Sequence, residues 1–587
     1  LSEGQNKAGS RAGGSRELVM LFPSNKAGDP AVSRVRSELT TPPTPAIARF
    51  LPSLTDIAFL FPMIFLFAKL EGARTMLGDG DTGWHIRTGE WILAHRQVPH
   101  NDMFSFSRAG APWFAWEWLW DVLFAMLHQR WGLAAVVGAS VLIVCLTSAL
   151  LFRLIRRKCN NGLVAIAVTL LATGGCAVHW LARPHLFTLL FFTIALHVTE
   201  RAREGRTRLL FWLAPLTLLW TNLHGGFFVL FLILACYVGS DLLNALIEPD
   251  ADRRTEFLRA TRPWLAIGAL CFALTFVNPY GWHLHKHLVE YMTDPYQLQH
   301  IAEFQAMNFH APVVVYFEPL MILALLTALW DVRHRRFADV LLNLGWLHLA
   351  LIAERNLPIF AIATAPLIGR AAVAAIAGAR ASRLALWIRR SAQWLERSTA
   401  SVDQIDQIGR VYLVSALPAL LITALLLAPA PASARFTSTY DPAHYPEAAL
   451  PLLLAPEAHH IFADDEWGDY LIYQLYPAKK VFVDGRSDFY GDDFNECFLD
   501  LLNVKYGWEK TLDKYSIDTI IVSPKLALAS ALKISPDWRI IYDDGVSVVF
   551  RSRRNPVSIA SSSEGKERDH AITRTINRDH RITKSTT

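Results

Sequence analysis

Asp79 and Asp81 stand one glycine apart in GDGDTGWHIRTGEW, residues 78–91, directly after the first long apolar run. A carboxylate within hydrogen-bond reach of a hydroxyl can remove its proton. In an extended segment both side chains point the same way, and only one need reach the acceptor. Asp81 adjoins Thr82–Trp84, the expected turn into a helix from Thr82 to about His95, and this would hold it steady. Asp79 lies between Gly78 and Gly80 and is looser. Asp81 also has a plainer reading, as the cap of that helix.

Further polar groups recur between the later apolar runs. Arg183 and His185 flank Pro184, and Asn222 and His224 precede Gly225–Gly226. Asn278, Tyr280, His283, His285 and His287 follow another run, then Glu303 and His310, then Glu354–Arg355–Asn356. Arginine and histidine donors suit a departing anion such as phosphate. The plainer readings are a structural Glu354–Arg355 ion pair and interfacial anchors for single His or Trp residues. His283, His285 and His287 alternate, which spreads them around a helix axis, so no metal site is read there.

The elements that must position these groups are membrane spans. The chain has 587 residues, 52% hydrophobic and 19% charged, against about 25% charged in a soluble chain. Apolar runs cover Leu54–Leu70, Gly132–Phe152, Gly162–Leu181, Leu186–Thr199, Leu209–Thr221, Phe227–Leu243, Trp264–Val277, Val313–Trp330, Val340–Ile352, Pro358–Ala375 and Val411–Ala428. That makes about eleven spans, several shorter than the roughly 20 residues a crossing needs. One set of loops is basic: Arg153 to Lys158, Arg201 to Arg208, Arg253 to Arg262, Arg333 to Arg336 and Arg380 to Arg410. The alternate loops carry the acids, amides and most of the motif histidines. The positive-inside rule puts the basic set in the cytoplasm and the Asp79–Asp81 loop outside. The net charge of +5 therefore speaks to topology and gives no argument for nucleic acid. The six cysteines show no spacing for a disulfide framework or a zinc site.

The expected organisation is a disordered cytoplasmic leader, 1–52, and a membrane domain, 53–430, with a large outer loop at 71–131. An α/β domain outside follows at 431–551, then a disordered tail at 552–587. In the outer loop Trp113, Trp116, Trp118 and Trp120 surround Glu117 and Asp121, a density of Trp that marks the headgroup level. In the α/β domain His460–Ala463, Lys480–Asp484, Thr519–Ser523, Arg539–Tyr542 and Val546–Arg551 read as strands. Asp469–Leu475, Phe494–Leu502, Trp508–Tyr515 and Leu526–Lys533 read as helices. Asp484–Gly485–Arg486 follows a strand end, where such sheets often place ligands or simply turn.

At these residues the chain resembles the membrane-embedded C-type (GT-C) glycosyltransferases, which use polyprenyl-phosphate sugars. GDGDTGWH, 78–85, looks like the acidic motif that family carries just after its first span, in a large outer loop with two interfacial helices. On that alignment Asp81 takes the base position, with Asp79 the other choice. Many members have Asp-Glu or Glu-Asp there; here Thr82 follows Asp81, and Asp79, Glu90 or Glu117 could supply the second acid. EWGDY, 466–470, is similar to the Trp-Trp-Asp-Tyr-Gly motif of oligosaccharyltransferases, with a different order and one Trp fewer.

The resemblance implies a multispanning α-helical protein of the cytoplasmic (inner) membrane, with a small C-terminal extracytoplasmic α/β domain. It implies transfer of a hexosyl or pentosyl unit from a polyprenyl-phosphate donor to an extracytoplasmic glycan, lipid or protein. His85, Glu117, Arg183, His185, Asn222, His224, His283, Glu354 and Arg355 are the expected substrate-binding residues, in contact with the membrane lipid that carries the sugar. A divalent metal, Mg or Mn, between acid and phosphate is compatible with this chemistry, but no ligand set compels it. The rival classes are a lipid or sugar transporter or flippase, which needs ionisable groups near mid-bilayer, and a non-catalytic assembly protein of the cell envelope.

Overall fold

The computed structural model describes residues 53–381, 385–406 and 437–554. Helix α1, Leu54–Ala68, begins at a capping box. The Ser53 hydroxyl accepts the Asp56 N–H at 3.1 Å, and the Asp56 carboxylate accepts the Ser53 N–H at 2.8 Å. Next come α2 (Asp81–His95) and α3 (Trp118–Trp131), packed on each other, then α4 (Leu133–Cys159) and α5 (Gly162–Cys176). The bundle continues with α6 (His185–Arg203), α7 (Leu213–Leu223), α8 (Val229–Ile247), α9 (Ala251–Leu274) and α10 (Trp282–Thr293). It closes with α11 (Val314–Arg333), α12 (Phe337–Ile352), α13 (Leu357–Ala381) and α14 (Leu386–Ile405).

Among the described residues six helices are long and apolar enough to cross a membrane: Leu133–Cys159, Gly162–His179, Gly225–Ile247, Ala251–Leu274, Val314–Arg333 and Glu354–Ala381. Leu54–Ala68 and Phe337–Ile352 are apolar but shorter. Leu142, Leu232, Phe272 and Leu326 on the long helices are exposed, as the lipid-facing side of a span requires. The expected span Val411–Ala428, the leader 1–52, the linker APAPASAR and the tail beyond Arg554 lie outside the described residues.

Two basic stretches differ from the expectation. Arg253, Arg254, Arg259 and Arg262 are not in a loop but ride on α9, which starts well before Trp264. The Asp250 carboxylate accepts the Arg253 N–H at 2.9 Å and sets that start. The Arg380–Arg410 stretch holds α14, an amphipathic helix whose Asp403 lies 3.1 Å from Arg156 and accepts the Gly162 N–H at 3.1 Å.

Where the ends of α4, α6, α11 and α12 meet the middle of α13 lies an ion-pair cluster. Arg370 Nη2 and Nη1 each lie 2.5 Å from Asp331 Oδ1 and Asp339 Oδ2. Arg203 reaches Asp339 at 3.0 Å, and Lys158 lies 2.8 Å from Glu200 and 3.5 Å from Asp339.

The C-terminal part carries a sheet in the order β1 (Ile461–Phe462), β2 (Thr519–Val522), β4 (Val548–Ser552), β3 (Trp538–Asp543). β1 and β2 are parallel; β2–β4 and β3–β4 are antiparallel, with a register shift at Ile540/Tyr542. Between β1 and β2, α15 (Asp465–Leu475) packs on α2. The segment Lys480–Asp484, expected as a strand, forms only single bridges. Val481 sits between Ile461 on one side and Ser105 on the other. It exchanges backbone bonds with the outer loop, Phe106 N–H to Val481 O at 2.9 Å and Val481 N–H to Phe104 O at 3.1 Å. Its pairing is shared with residues of another loop, so no regular ladder develops, and the sheet edge is tied to the first outer loop.

Candidate active site

Asp81 opens α2, and its own N–H is held by Asp79 Oδ1 at 2.8 Å. The capping role therefore falls to Asp79, and the Asp81 side chain is free for other partners. Arg183, in the turn before α6, bridges the two acids: Nη1 to Asp79 Oδ2 is 2.6 Å and Nη2 to Asp81 Oδ2 is 2.5 Å. Asp81 Oδ1 accepts the Trp84 indole N–H at 3.1 Å. Burial raises the Asp81 carboxyl, Arg183 opposes this and Asp79 adds to it, and the outcome is about 6. A carboxylate with that value is ionised at neutral pH yet basic enough to receive a proton.

A cavity of about 350 Å³ lies on one side of Asp81. Its polar wall includes Arg183, His85, Glu117, His224 and Arg355, and its apolar wall includes Phe228, Val229, Leu288, Met292 and Ile352. A second chamber of about 360 Å³ meets it at Asp81, Arg183, Tyr291 and Glu303 and extends past Asp79, Gln297 and Glu354. Asp81 thus faces two chambers, one with an extensive apolar wall and one in which acids are a larger share of the lining.

The polar wall is a connected set. His85 Nδ1 lies 2.6 Å from Asp121 Oδ1, and His85 Nε2 lies 3.7 Å from Glu117 Oε2. Glu117 Oε1 lies 3.5 Å from His224 Nε2, and His224 Nδ1 lies 2.7 Å from Thr188 Oγ1. Burial pushes Glu117 up to about 8, with Arg183 opposing, so this carboxyl holds its proton at neutral pH. Burial, followed by the charges of Arg355 and Arg183, lowers His224 to about 3, and burial lowers His85 well below the usual imidazole range. Glu303 is the opposite case. Burial would raise it, but Arg355, 3.4 Å away, and Arg183 outweigh that and bring it to about 2. The permanent cations of the site are the guanidiniums, while the imidazoles are neutral hydrogen-bonding groups.

Of the residues expected from the sequence, Asp81, His85, Glu117, Arg183, His185, His224 and Arg355 line the first cavity, and Asp79 and Glu354 line the second. Asn222 and His283 are not brought there. Asn222 is occupied structurally, accepting the Trp118 indole N–H at 2.9 Å and donating to Leu218 O and Val277 O. His283 is exposed on α10 against the Trp282 ring. The tryptophans of residues 113–120 also differ from the anchoring expectation. Trp113 and Trp120 are buried and Trp116 and Trp118 half-buried, because they pack inward around Glu117 and Asp121.

The C-terminal part also supplies residues, among them Gly485 and Arg486 of the Asp484–Gly485–Arg486 stretch, whose sequence allowed either a ligand site or a plain turn. Gly485, Arg486, Ser487 and Asp488 line the first cavity. Arg486 is buried among the rings of Trp113, Phe489 and Phe104, with Nη2 at 2.7 Å from both Asp102 and Asp484. It ties the outer loop to the segment after Val483. Gly80 permits the approach of α15: a β-carbon there would stand 2.5 Å from Glu466 O and 2.8 Å from Asp469 Cβ. The motifs GDGDTG and EWGDY, remote in the chain, are packed on each other.

Among the described residues no group of three or more His, Cys, Asp or Glu is placed to hold a metal ion. The Asp79 and Asp81 oxygens that would face a divalent cation face the Arg183 guanidinium instead. These residues do not fit such a metal, and no step is derived through one.

The fold and site define a multi-helix protein with membrane-length apolar helices and a buried acid–guanidinium centre. No family model and no curated protein matches the chain. Among solved structures it is similar to the archaeal oligosaccharyltransferase AglB from Archaeoglobus fulgidus in complex with an inhibitory peptide and a dolichol-phosphate. The TM-score is 0.49 and the identity 11%, over 85% of this chain and 74% of that one. The oligosaccharyltransferase of that organism in its apo form gives 0.48 and 11%, over 80% and 69%. The same enzyme tethered to an acceptor peptide containing the NVT sequon gives 0.47 and 11%, over 85% and 74%.

Proposed function

We propose that the protein is a GT-C type glycosyltransferase of the cytoplasmic membrane, moving a sugar from a polyprenyl-phosphate donor to an extracytoplasmic acceptor, with Asp81 as base. The observation that carries this reading is the position of Asp81 between two chambers. The chamber with the extensive apolar wall suits a lipid-linked phosphate, and the other suits a hydroxylated acceptor. Asp81 takes the acceptor proton as the acceptor oxygen forms its bond to the anomeric carbon. The bond from that carbon to the donor phosphate breaks, and the phosphate leaves with the electron pair. Arg183 and Arg355 offer permanent positive charge to that phosphate, and protonated Glu117 offers an O–H donor.

Purified full-length protein, given a panel of polyprenyl-phosphate sugars and acceptors, is expected to consume one donor class and release polyprenyl phosphate. Intact donor moved across a vesicle membrane with no product would instead support a transporter. Topology is tested separately. A reporter fused after Arg551 is expected to be active outside the cytoplasm, and activity only inside would overturn the assigned face.

A further inference from the structure

Asp469 is a buried acid that the transfer step above does not use. It sits on α15 within EWGDY and is 2% exposed. Its Oδ1 accepts the Gly485 N–H at 2.9 Å, and its carboxyl faces that of Asp81. Gly485 shows how tightly the two acids meet. A β-carbon at that position would stand 2.5 Å from Asp469 Oδ2 and 2.7 Å from Asp81 Oδ1. Those two oxygens therefore converge on a space that only glycine leaves free.

Two carboxylates in contact in a buried place do not both ionise, so one holds a proton. The surroundings decide which. Asp81 has Arg183 at 2.5 Å and the Trp84 indole donor at 3.1 Å, and both favour its charged form. Asp79 and Glu117 also face it. Asp469 receives one backbone N–H and is faced by Asp81, Asp484, Asp79 and the Tyr440 phenol. Burial, then the neighbouring acids Asp81 and Asp484, raise Asp469 well above the usual carboxylate range.

We infer that Asp469 is a positioning residue for Asp81: as a neutral carboxylic acid it donates a hydrogen bond from Oδ2 to Asp81 Oδ1. This fixes the Asp81 rotamer and leaves Asp81 Oδ2, whose other lone pair is held by Arg183, as the oxygen that meets the acceptor hydroxyl. The C-terminal part then completes the catalytic centre, and docking of α15 on α2 makes the base competent. The inference rests on the reading of Asp81 as base.

The experiment compares wild type, Asp469→Asn, Asp469→Ala and Asp81→Asn as full-length proteins, reading the pH dependence of kcat/KM for donor consumption. The wild-type acid limb is expected near pH 6. Asparagine can donate from Nδ2 in place of the acid proton, so Asp469→Asn should keep that limb within a few tenths of a pH unit. Alanine cannot donate, so Asp469→Ala should move the limb upward by about one unit, roughly a tenfold loss below it. A limb moved to lower pH in Asp469→Asn would show an ionised Asp469 and overturn the inference, as would an unmoved limb in Asp469→Ala. Infrared spectroscopy of unreacted protein at neutral pH stays informative if the alanine variant does not fold. The wild-type minus Asp469→Asn difference spectrum should show the loss of one protonated-carboxyl component, with that of Glu117 common to both; no such difference overturns the pair whatever the activity. A wild-type rate in Asp81→Asn rejects the base while leaving the infrared result to judge the pair, so the two failures are distinguishable.

Discussion

The molecule holds two clusters built on the same motif, two aspartates bridged by one arginine. In one, Arg183 spans Asp79 and Asp81 at 2.6 and 2.5 Å; in the other, Arg370 spans Asp331 and Asp339 at 2.5 Å each. They differ in what surrounds the bridge. Asp339 also has Arg203 and Lys158, and Asp331 has Arg336 at 3.6 Å, so cations surround both acids. Around Arg183 the acids Asp469, Glu117 and Glu303 gather, and the nearby Arg355 is engaged by Glu303 at 3.4 Å. Access differs in the same direction. The Asp331 and Asp339 side chains are 0% and 2% exposed, while Asp79 and Asp81 are 26% and 14% exposed and face cavities. An ion pair by itself does not mark chemistry. A shortage of counter-charge beside open space does, because an incompletely compensated acid can still exchange a proton or bind a ligand.

That contrast can be broken experimentally. The largest effect is expected from Asp81→Asn, which keeps the shape but cannot accept a proton. Turnover should fall by about 10²–10⁴-fold with the protein still folded and donor still bound. A rate near wild type would return Asp81 to a structural role.

Matched substitutions of the two bridges come next. Arg183→Gln removes a permanent charge from the leaving group, and turnover should fall by about 10²–10³-fold. Arg370→Gln leaves two buried acids short of a partner and should cost about 3–5 kcal/mol of stability, with turnover per folded molecule unchanged. Denaturation midpoints and rates measured on both variants decide this. Equal loss of activity from both would erase the distinction between the clusters.

A smaller, pH-dependent effect is expected at Glu117. Its folded value of about 8 lies above the ordinary 4.5. Between those values the unfolded chain has released this proton and the folded chain has not, so its contribution to stability declines as pH rises through that window. Glu117→Gln has no proton to lose. Its thermal midpoint should fall less than that of wild type between pH 5 and pH 8, and parallel curves would refute the assignment.

The smallest effect is expected from Asp79→Asn. Asn serves about as well as Asp in accepting a helix-start N–H, so the stability change should stay within about 0.5 kcal/mol. Activity should fall far less than in Asp81→Asn. The reverse order of activities would make Asp79 the base.

Much of the fold was legible because apolar periodicity and caps are local. The helix expected over Thr82–His95 is Asp81–His95, and the expected helix Phe494–Leu502 lies within Asp492–Leu502. Legibility failed where a partner lay far along the chain. Lys480–Asp484 has the composition of a strand, but its neighbours are Ile461 and Ser105, and the sequence does not say that an outer loop will pair there. The start of α9 was missed because the arginine cluster read as a loop, although Asp250 was available as its cap. Asn222 was selected for its residue type, yet its amide is consumed by Trp118 and two backbone carbonyls.

The sequence by itself determined which residues carry charge and where the apolar runs fall. It thereby determined that Asp79, Asp81, Arg183, His224 and Arg355 sit at the ends or edges of helices, since such groups are costly within hydrocarbon. Only the tertiary structure decided how they are paired. It set Arg183 on both acids, placed neutral His85 and His224 around Glu117, and brought Asp469 and Gly485 from the C-terminal part against Asp81. Burial and charge neighbours set a carboxyl's affinity for its proton, and both come from packing between distant segments. The same residue type is therefore a helix cap at Asp79 and part of a closed ion pair at Asp331, whereas at Asp81 it is a partly buried acid facing two chambers.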